Sequence, residues 1–394
     1  MSSRIITLGK SCKLNKEAIN SQKIPDSIYY LDTGNITRNS IKELQFFEKR
    51  NGNYPSRAKR KVRNQTIIYS SVRPNQEHFG FIKNPLENLI VSTGFITIDV
   101  EDNDLDSMFL YYSLTRKEIT AYLQSIAENS TSSYPSINPE DIGKLQLTTP
   151  LNKLYQQKIA AVLSALDAKI ELNNQINAEL EKMAKTLYDY WFVQFDFPDA
   201  NGKPYKSSGG PMVWNEELKR EIPEGWEVKE VKDFLNVVTG KEDANFAEIN
   251  GKYPFFTCGE EVLKCNKSKF KGKVILVAGN GNFNVKYFDG EFNAYQRTYV
   301  LIPSEAKYVG IIFRNVFENI SKFKISSNGS IVKFIRKEDV EKIKVILPKN
   351  NLKILEIFNQ NIDLIQKNLQ QNQALVELRD WLLPMLMNGQ VKVE

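Results

Sequence analysis

The chain has 394 residues, more than one ordinary domain holds, so two or three domains are expected. Hydrophobic residues at 41% and charged residues at 25% mark a globular chain, and 53 Lys and Arg against 47 Asp and Glu leave a mild +6 that permits a polyanionic partner without requiring one. One histidine, His78, and three cysteines with no CxxC pair exclude an ordinary zinc site. So few cysteines suit a reducing cytosol. The N-terminal MSSRIITLGK has no apolar signal region and no apolar run reaches the ~18 residues of a membrane span. A soluble cytoplasmic protein with neither metal nor membrane contact is expected.

In chain order, residues 1–150 read as a first globule mixing strands and helices. It carries a dense basic tract, Lys49, Arg50, Arg57, Lys59, Arg60, Lys61 and Arg63, interleaved with Asn51, Asn53 and Tyr54. Gly52 and Pro55 make this tract a loop, which either neutralises phosphates or is a solvated surface. Strands are expected at Gln65–Tyr69, Leu89–Val91 and Phe95–Ile98, and helix over Met108–Ala127. Arg73 precedes Pro74, which favours extended backbone; it is either a fixed reaching arginine or a structural one. A small polar loop, Ser130-Thr131-Ser132, leads to Glu140-Asp141-Ile142-Gly143-Lys144-Leu145-Gln146-Leu147 and Pro150, an acidic helical start, an alternating strand and a proline stop.

A helix is expected from about Leu151 to Phe192, in a segment 151–195. Its seam is Ile159, Leu163, Leu166, Ile170, Asn173, Asn177, Leu180, Ala184, Leu187 and Trp191, spaced 4, 3, 4, 3 as heptads require. Residues 196–350 begin with a Pro/Gly/Ser-rich linker to Pro211 and continue as a second mixed globule. Its lysines Lys264, Lys267, Lys269, Lys271 and Lys273 are positioning charges, and its strands are Lys273–Val277 and Tyr299–Ile302. Asn280, Asn282, Asn284, Gln296 and Arg297 are candidates for reading base edges, with turn chemistry as the alternative. Helix follows over Lys307–Asn319, then Asn328-Gly329-Ser330 and a second acidic element, Glu338-Asp339-Val340-Glu341-Lys342-Ile343-Lys344-Val345, closing at Pro348. In the last segment, 351–394, a second helix runs from about Leu352 to Leu383, with Pro384 expected to disturb its last turn.

The two halves repeat. Glu140 and Glu338 lie 198 residues apart, and the loops Ser130-Thr131-Ser132 and Asn328-Gly329-Ser330 align at that offset (140 to 338). The second seam, Ile354, Phe358, Asn361, Ile365, Asn368, Asn372, Leu375, Arg379 and Leu382, has the spacing of the first and a matching asparagine pair. Thr131, Ser132, Asn328 and Ser330 are small polar residues that could approach a phosphate or hydrogen-bond a base, or are simply turns. A matched frame with unmatched contents suggests two sites reading two targets. The order is globule, helix, globule, helix, and the fold class α+β.

Catalytic readings fail on motif grounds. There is no (N/D)PP(Y/F) motif, no Walker A lysine, and Gly279-Asn280-Gly281 lacks the third glycine of a dinucleotide loop. Glu227-Val228-Lys229 mimics part of a nuclease motif but begins an amphipathic strand.

Five phrases in order carry a family resemblance: Tyr69-Ser70-Ser71-Val72-Arg73-Pro74-Asn75 with Ser92-Thr93-Gly94-Phe95; Ser133-Tyr134-Pro135-Ser136-Ile137 leading to Leu166-Asp167-Ala168-Lys169-Ile170-Glu171-Leu172-Asn173; Leu187-Tyr188-Asp189-Tyr190-Trp191-Phe192-Val193-Gln194-Phe195-Asp196-Phe197-Pro198; Ile222-Pro223-Glu224-Gly225-Trp226; and Leu378-Arg379-Asp380-Trp381-Leu382-Leu383-Pro384 with Asn388-Gly389. Over nearly the whole chain it resembles the specificity subunits of Type I restriction–modification systems. The resemblance implies two target-recognition domains, each reading one half of a split double-stranded DNA site. It implies two helices paired antiparallel as a spacer, with pseudo-two-fold repeat symmetry, docking methyltransferase (modification) subunits, two of them expected. Restriction/translocase subunits complete such complexes, and S-adenosylmethionine and ATP/Mg belong to the partners, with no cofactor on this chain. The alternatives are the recognition subunit of a related Type II enzyme and a coiled-coil scaffold that binds proteins.

Overall fold

The computed structural model describes residues 2–19, 25–130, 134–326, 334–349 and 353–393. They divide into two compact units, Met1–Glu171 with Asn372–Glu394, and Leu172–Gln371.

In the first unit the opening strand Ser3–Thr7 pairs antiparallel with the closing strand Gln146–Pro150. Helix α1 (Leu8–Ser11) turns the chain into a four-stranded sheet ordered Cys12–Leu14, Phe95–Val100, Ile67–Ser70 and Phe79–Phe81. A second sheet orders Gln45–Glu48, Ser27–Leu31, Leu89–Ser92 and Ala58–Lys61. Ile67, Tyr69, Ile96 and Ile98 face a core shared with helices α2 (Ser107–Leu114) and α3 (Lys117–Glu128). Ile68 and Phe95 face the second sheet with Leu31, Leu89 and Val91. A strand covered on both faces needs no polar alternation, which is why Ile67, Ile68 and Tyr69 follow one another without a polar residue between them. The single helix expected over Met108–Ala127 is instead two, because the Asp106 carboxylate caps α2 and the chain turns at Thr115 and Arg116 before α3 begins. Helix α4 (Pro139–Gly143) then leads to the closing strand and to α5 (Lys153–Tyr188), 36 residues or about 54 Å long.

In the second unit one six-stranded sheet runs Leu235–Thr239, Thr298–Pro303, Phe270–Ala278, Val285–Ala294, Tyr253–Phe256, Val262–Cys265. Ile275, Val277 and Leu301 face α6 (Val309–Ser326), while Val274, Leu276 and Val300 pack on the other side with Phe256 and Phe292. Helix α7 (Lys337–Glu341) precedes the closing strand Lys344–Pro348, and α8 (Lys353–Met387) ends the fold. The segment expected as a linker is folded. After the π-helical turn Asp189–Val193, Phe197 stacks on Trp191, Tyr205 and Trp226 at 5.1, 4.6 and 5.0 Å. Asp199 accepts the amides of Asn201 and Lys203, a side-chain-closed turn that draws on the same polar residues that had suggested a linker.

The repeat runs deeper than its ends. Strand Trp226–Glu230 pairs with Lys344–Pro348 as Ser3–Thr7 does with Gln146–Pro150. The Leu8 amide donates to the Leu145 carbonyl at 3.1 Å, and the Val231 amide donates to the Ile343 carbonyl at 3.0 Å. Ile98 stands opposite Leu14 where Leu301 stands opposite Val237. Ser70 stands opposite Phe95 where Ala278 stands opposite Thr298.

Both units use both long helices. In the first, Ile159 and Leu163 of α5 share one core with Leu383 and Leu386 of α8. Leu166, Ile170, Leu375 and Leu382 are half-buried, and Arg379 donates to Asp167 at 2.7 Å. In the second, Ala184, Ile354 and Phe358 are buried, and Leu180, Leu187, Trp191 and Ile365 are half-buried. There Asn368 donates to Asn177 at 2.8 Å, Asn173 to Gln371 at 2.9 Å, and Asn361 to the Leu180 carbonyl at 3.0 Å. Rising numbers in α5 meet falling numbers in α8, so within each unit the segments run antiparallel; Asn372 too is buried. Pro384 does not disturb α8, which continues to Met387. A proline removes one donor, and burial of Leu383 and Leu386 on either side outweighs that loss.

Replacing Asn177 with Leu strands the buried Asn368 amide and should cost about 1–3 kcal/mol. Asn177→Leu combined with Asn368→Leu should recover most of it. Calorimetric unfolding of the two variants checks this; equal losses would show that the pair carries no mutual stabilisation.

Candidate nucleic-acid interface

The basic tract is built on strand geometry. It was expected as a loop; residues 52–57, with Gly52 and Pro55, are one, but Lys49–Asn51 is a 3-10 turn and Ala58–Lys61 a strand whose backbone groups find ladder partners. Lys61 and Arg60 pair with Ile90 and Val91 on one side. On the other, Ile19 donates to the Lys59 carbonyl at 2.8 Å and Lys61 to the Glu17 carbonyl at 3.1 Å. The edge backbone is thus occupied while the side chains of Arg57, Lys59 and Lys61 stand exposed. Arg60, on the Ala58 face, is half-buried, and burial lowers its pKa from the ordinary guanidinium value. Arg50 is held by Glu48 through two hydrogen bonds of 3.0 Å. Arg63 donates at 3.0 Å to the buried carboxylate of Asp99, which also takes the Thr66 hydroxyl at 2.6 Å. That contact ties Arg63 to strand Phe95–Val100.

Two phrases of the first unit meet at a hairpin tip between strands Ile67–Ser70 and Phe79–Phe81. Val72 bridges Ser136, the Arg73 amide donates to the Pro135 carbonyl at 2.9 Å, and Ile137 donates to the Ser71 carbonyl at 2.8 Å. Arg73 is not extended as its place before Pro74 had suggested; it is left-handed, φ 47° and ψ 70°. The reason is the tip itself: the carbonyl of Arg73 must turn back to accept the Gln76 amide at 2.9 Å while its own N–H is tied to Pro135. The side chain is exposed, its guanidinium 5.6 Å from the ring centroid of Tyr134.

The second unit has the same tip. Between strands Phe270–Ala278 and Val285–Ala294, Asn280 bridges Phe334 and Ile335 donates to the Gly279 carbonyl at 2.8 Å. Gly281, φ 71°, stands where Arg73 stands. Asn138 and Arg336 follow, each donating its amide to an aspartate of the next helical turn, Asp141 at 2.8 Å and Asp339 at 2.9 Å. Sequence comparison missed this equivalence, because the only signals are a lone Asn-Gly-Asn and an Arg-Pro at different offsets.

Of the other candidates, Asn282, Lys267, Lys269 and Arg297 are exposed. Lys271 pairs with Glu291 at 3.1 Å and Lys273 with Asp363 at 2.7 Å. Asn284 donates to the Cys258 carbonyl at 2.8 Å, and Gln296 to Asp243 at 2.7 Å. Thr131, Ser132, Asn328 and Ser330 lie outside the described residues. Glu227 and Lys229 form an ion pair at 2.9 Å on strand Trp226–Glu230. Among the described residues no three His, Cys, Asp or Glu side chains converge as metal ligands, and no helix is long and apolar enough to cross a membrane.

Residues 6–182 and 223–375 match the family described as the Type I restriction modification DNA specificity domain. The chain is 25% identical to the Type I restriction enzyme HindI specificity subunit of Haemophilus influenzae, over 93% of this chain and 94% of that one. It is 28% identical to the MjaIX specificity subunit of Methanocaldococcus jannaschii, over 93% and 84%. Among solved structures it shares the fold of the Type-I restriction-modification S subunit from M. genitalium, with a TM-score of 0.59 at 18% identity over 98% and 96% of the two chains.

A left-handed backbone costs a residue with a side chain about 1–2 kcal/mol. Arg73→Gly should therefore leave the unfolding temperature unchanged or raise it, although it deletes the contact with Tyr134. A clear fall in thermal unfolding temperature would show that the guanidinium stabilises the fold by more than the backbone strains it.

Proposed function

The chain belongs to the Type I restriction modification DNA specificity family, and we propose that each of its two units binds one half of a split, asymmetric duplex site. Helices α5 and α8 set the gap between the halves and dock two modification subunits, giving the assembly approximate two-fold symmetry. Methyl transfer, with S-adenosylmethionine, and ATP/Mg-driven translocation and cutting belong to those partners and to restriction subunits; this chain binds no cofactor and acts in the cytoplasm. One observation carries the reading: a single frame occurs twice, each copy ending in a long helix, with different residues at the same tip. Two reading heads of one geometry and different chemistry are what a two-part asymmetric target requires.

The exposed side chains of Arg57, Lys59 and Lys61 suit phosphate contacts, which position a protein on DNA without reading sequence. Replacing all three with Ala should weaken binding of the assembled complex to every sequence alike. The slope of log affinity against log salt should flatten by up to ~0.9 for each phosphate that is no longer neutralised. An unchanged slope would make this edge solvated surface.

The spacer role is tested by inserting four residues after Asn177, about one turn or ~6 Å, which nearly preserves the seam as a local stutter. Sequencing the sites methylated by the variant complex should show both half-sites unchanged and the gap longer by about two base pairs at roughly 3.4 Å each. An active variant with the original gap would mean the helices are not the ruler.

A further inference from the structure

We infer that the two equivalent hairpin tips are the base-reading elements, with Arg73 selecting a guanine in one half-site and Asn282 an adenine in the other; this rests on the reading of each unit as a DNA-binding head. The argument begins with position. Val72 and Asn280 make the same bridge in the two copies of the frame, so the following residues, Arg73-Pro74 and Gly281-Asn282, project from the same place. Heads that share a frame but read different sequences must differ in chemistry at the point of contact, and here they do.

Availability is the second part. Arg38, Arg50 and Arg63 each hold a carboxylate, on Glu77, Glu48 and Asp99, and would have to surrender it to bind anything else. Arg73 has no carboxylate partner among the described residues; its guanidinium lies against the face of Tyr134, itself 61% exposed. A cation–π contact at 5.6 Å uses none of the guanidinium N–H groups as hydrogen-bond donors and leaves them for a ligand. The side chain of Asn282 is exposed and makes no hydrogen bond among the described residues.

Strain is the third part. Arg73 stands in the left-handed region where its counterpart is glycine, and it precedes a proline. A left-handed backbone at an arginine costs stability, as happens where a side chain serves a ligand. The chemistry then names the bases. An arginine fork matches O6 and N7 of guanine, and an asparagine amide matches N6 and N7 of adenine.

The test is methylation of a randomised DNA library by the chain assembled with its modification subunits, read by sequencing. Arg73→Ala and Arg73→Gly should each lower the preference for guanine at one position of one half-site by roughly 5- to 150-fold, leaving the other half-site unchanged. Asn282→Ala should do the same for one adenine of the opposite half-site. Arg57→Ala is the contrast, lowering methylation of all sequences in proportion. Unchanged ratios in the Arg73 and Asn282 variants, a uniform loss like that of Arg57→Ala, or relaxation at other bases would overturn the assignment. These outcomes are read against a wild-type complex that discriminates sequences; a wild-type complex that methylates without sequence preference would instead overturn the two-headed reading itself.

Discussion

Burial of Leu383 and Leu386 in one core with Ile159 and Leu163 is the contact on which the first unit depends. Each fully buried leucine or isoleucine is worth roughly 1.5–3 kcal/mol, and the two pairs come from helices about 220 residues apart in the chain (163 to 383). The second unit has the same dependence, since Ala184 and Phe192 share its core with Ile354, Leu355 and Phe358. Neither sheet can cover its helical face with local sequence alone. The long helices are therefore part of both cores, and a change in either helix is felt where the sheets are anchored.

The seam is not purely apolar, and its polar members define its register. Asn177 and Asn368 satisfy one another, and Asn361 reaches the Leu180 carbonyl. Arg379 lies between Asp167 and Asp380, and Asp167 also accepts the Tyr112 hydroxyl at 2.7 Å. Burial and the adjacent Asp167 charge push the Tyr112 phenol well above its ordinary pKa, so it stays a donor. A slip of one heptad would leave these groups buried without partners, at a cost larger than a misplaced leucine would bring.

Exposed charge and the shared tips lie on different parts of each unit. Among the described residues, the basic strand Ala58–Lys61 belongs to a sheet with no counterpart in the second unit, and Lys264, Lys267 and Lys269 lie on or beside a hairpin edge with no counterpart in the first. The tips belong to the shared frame. Edges can be rebuilt with little disturbance to the frame because many of their side chains, Lys59, Lys61, Lys264, Lys267 and Lys269 among them, are exposed. The tips can change chemistry because the bridge beneath them is made by backbone atoms, which any residue supplies.

Much of this was legible in the chain. Heptad spacing marked both helices, because a side chain's position around a helix follows from its number alone. The repeat was visible only where its offset barely changes, 198 residues for the acidic turns (140 to 338) and 195 for the helix seams (159 to 354). The shared sheet was hidden: the first unit carries additional strands between Leu14 and Ile67, which shift the numbering, and a strand buried on both faces asks only for apolar residues, not particular ones. Tertiary structure alone decided which charges are available. Arg63 and Arg57 look alike in the sequence, yet Asp99, brought in from another strand, binds the first and leaves the second. Tertiary structure also overruled the local rule at Arg73, where bonds to Pro135 and Gln76 force a backbone that its own neighbour disfavours. Periodicity is a property of neighbours along the chain, whereas pairing and strain depend on what folding brings together from far apart.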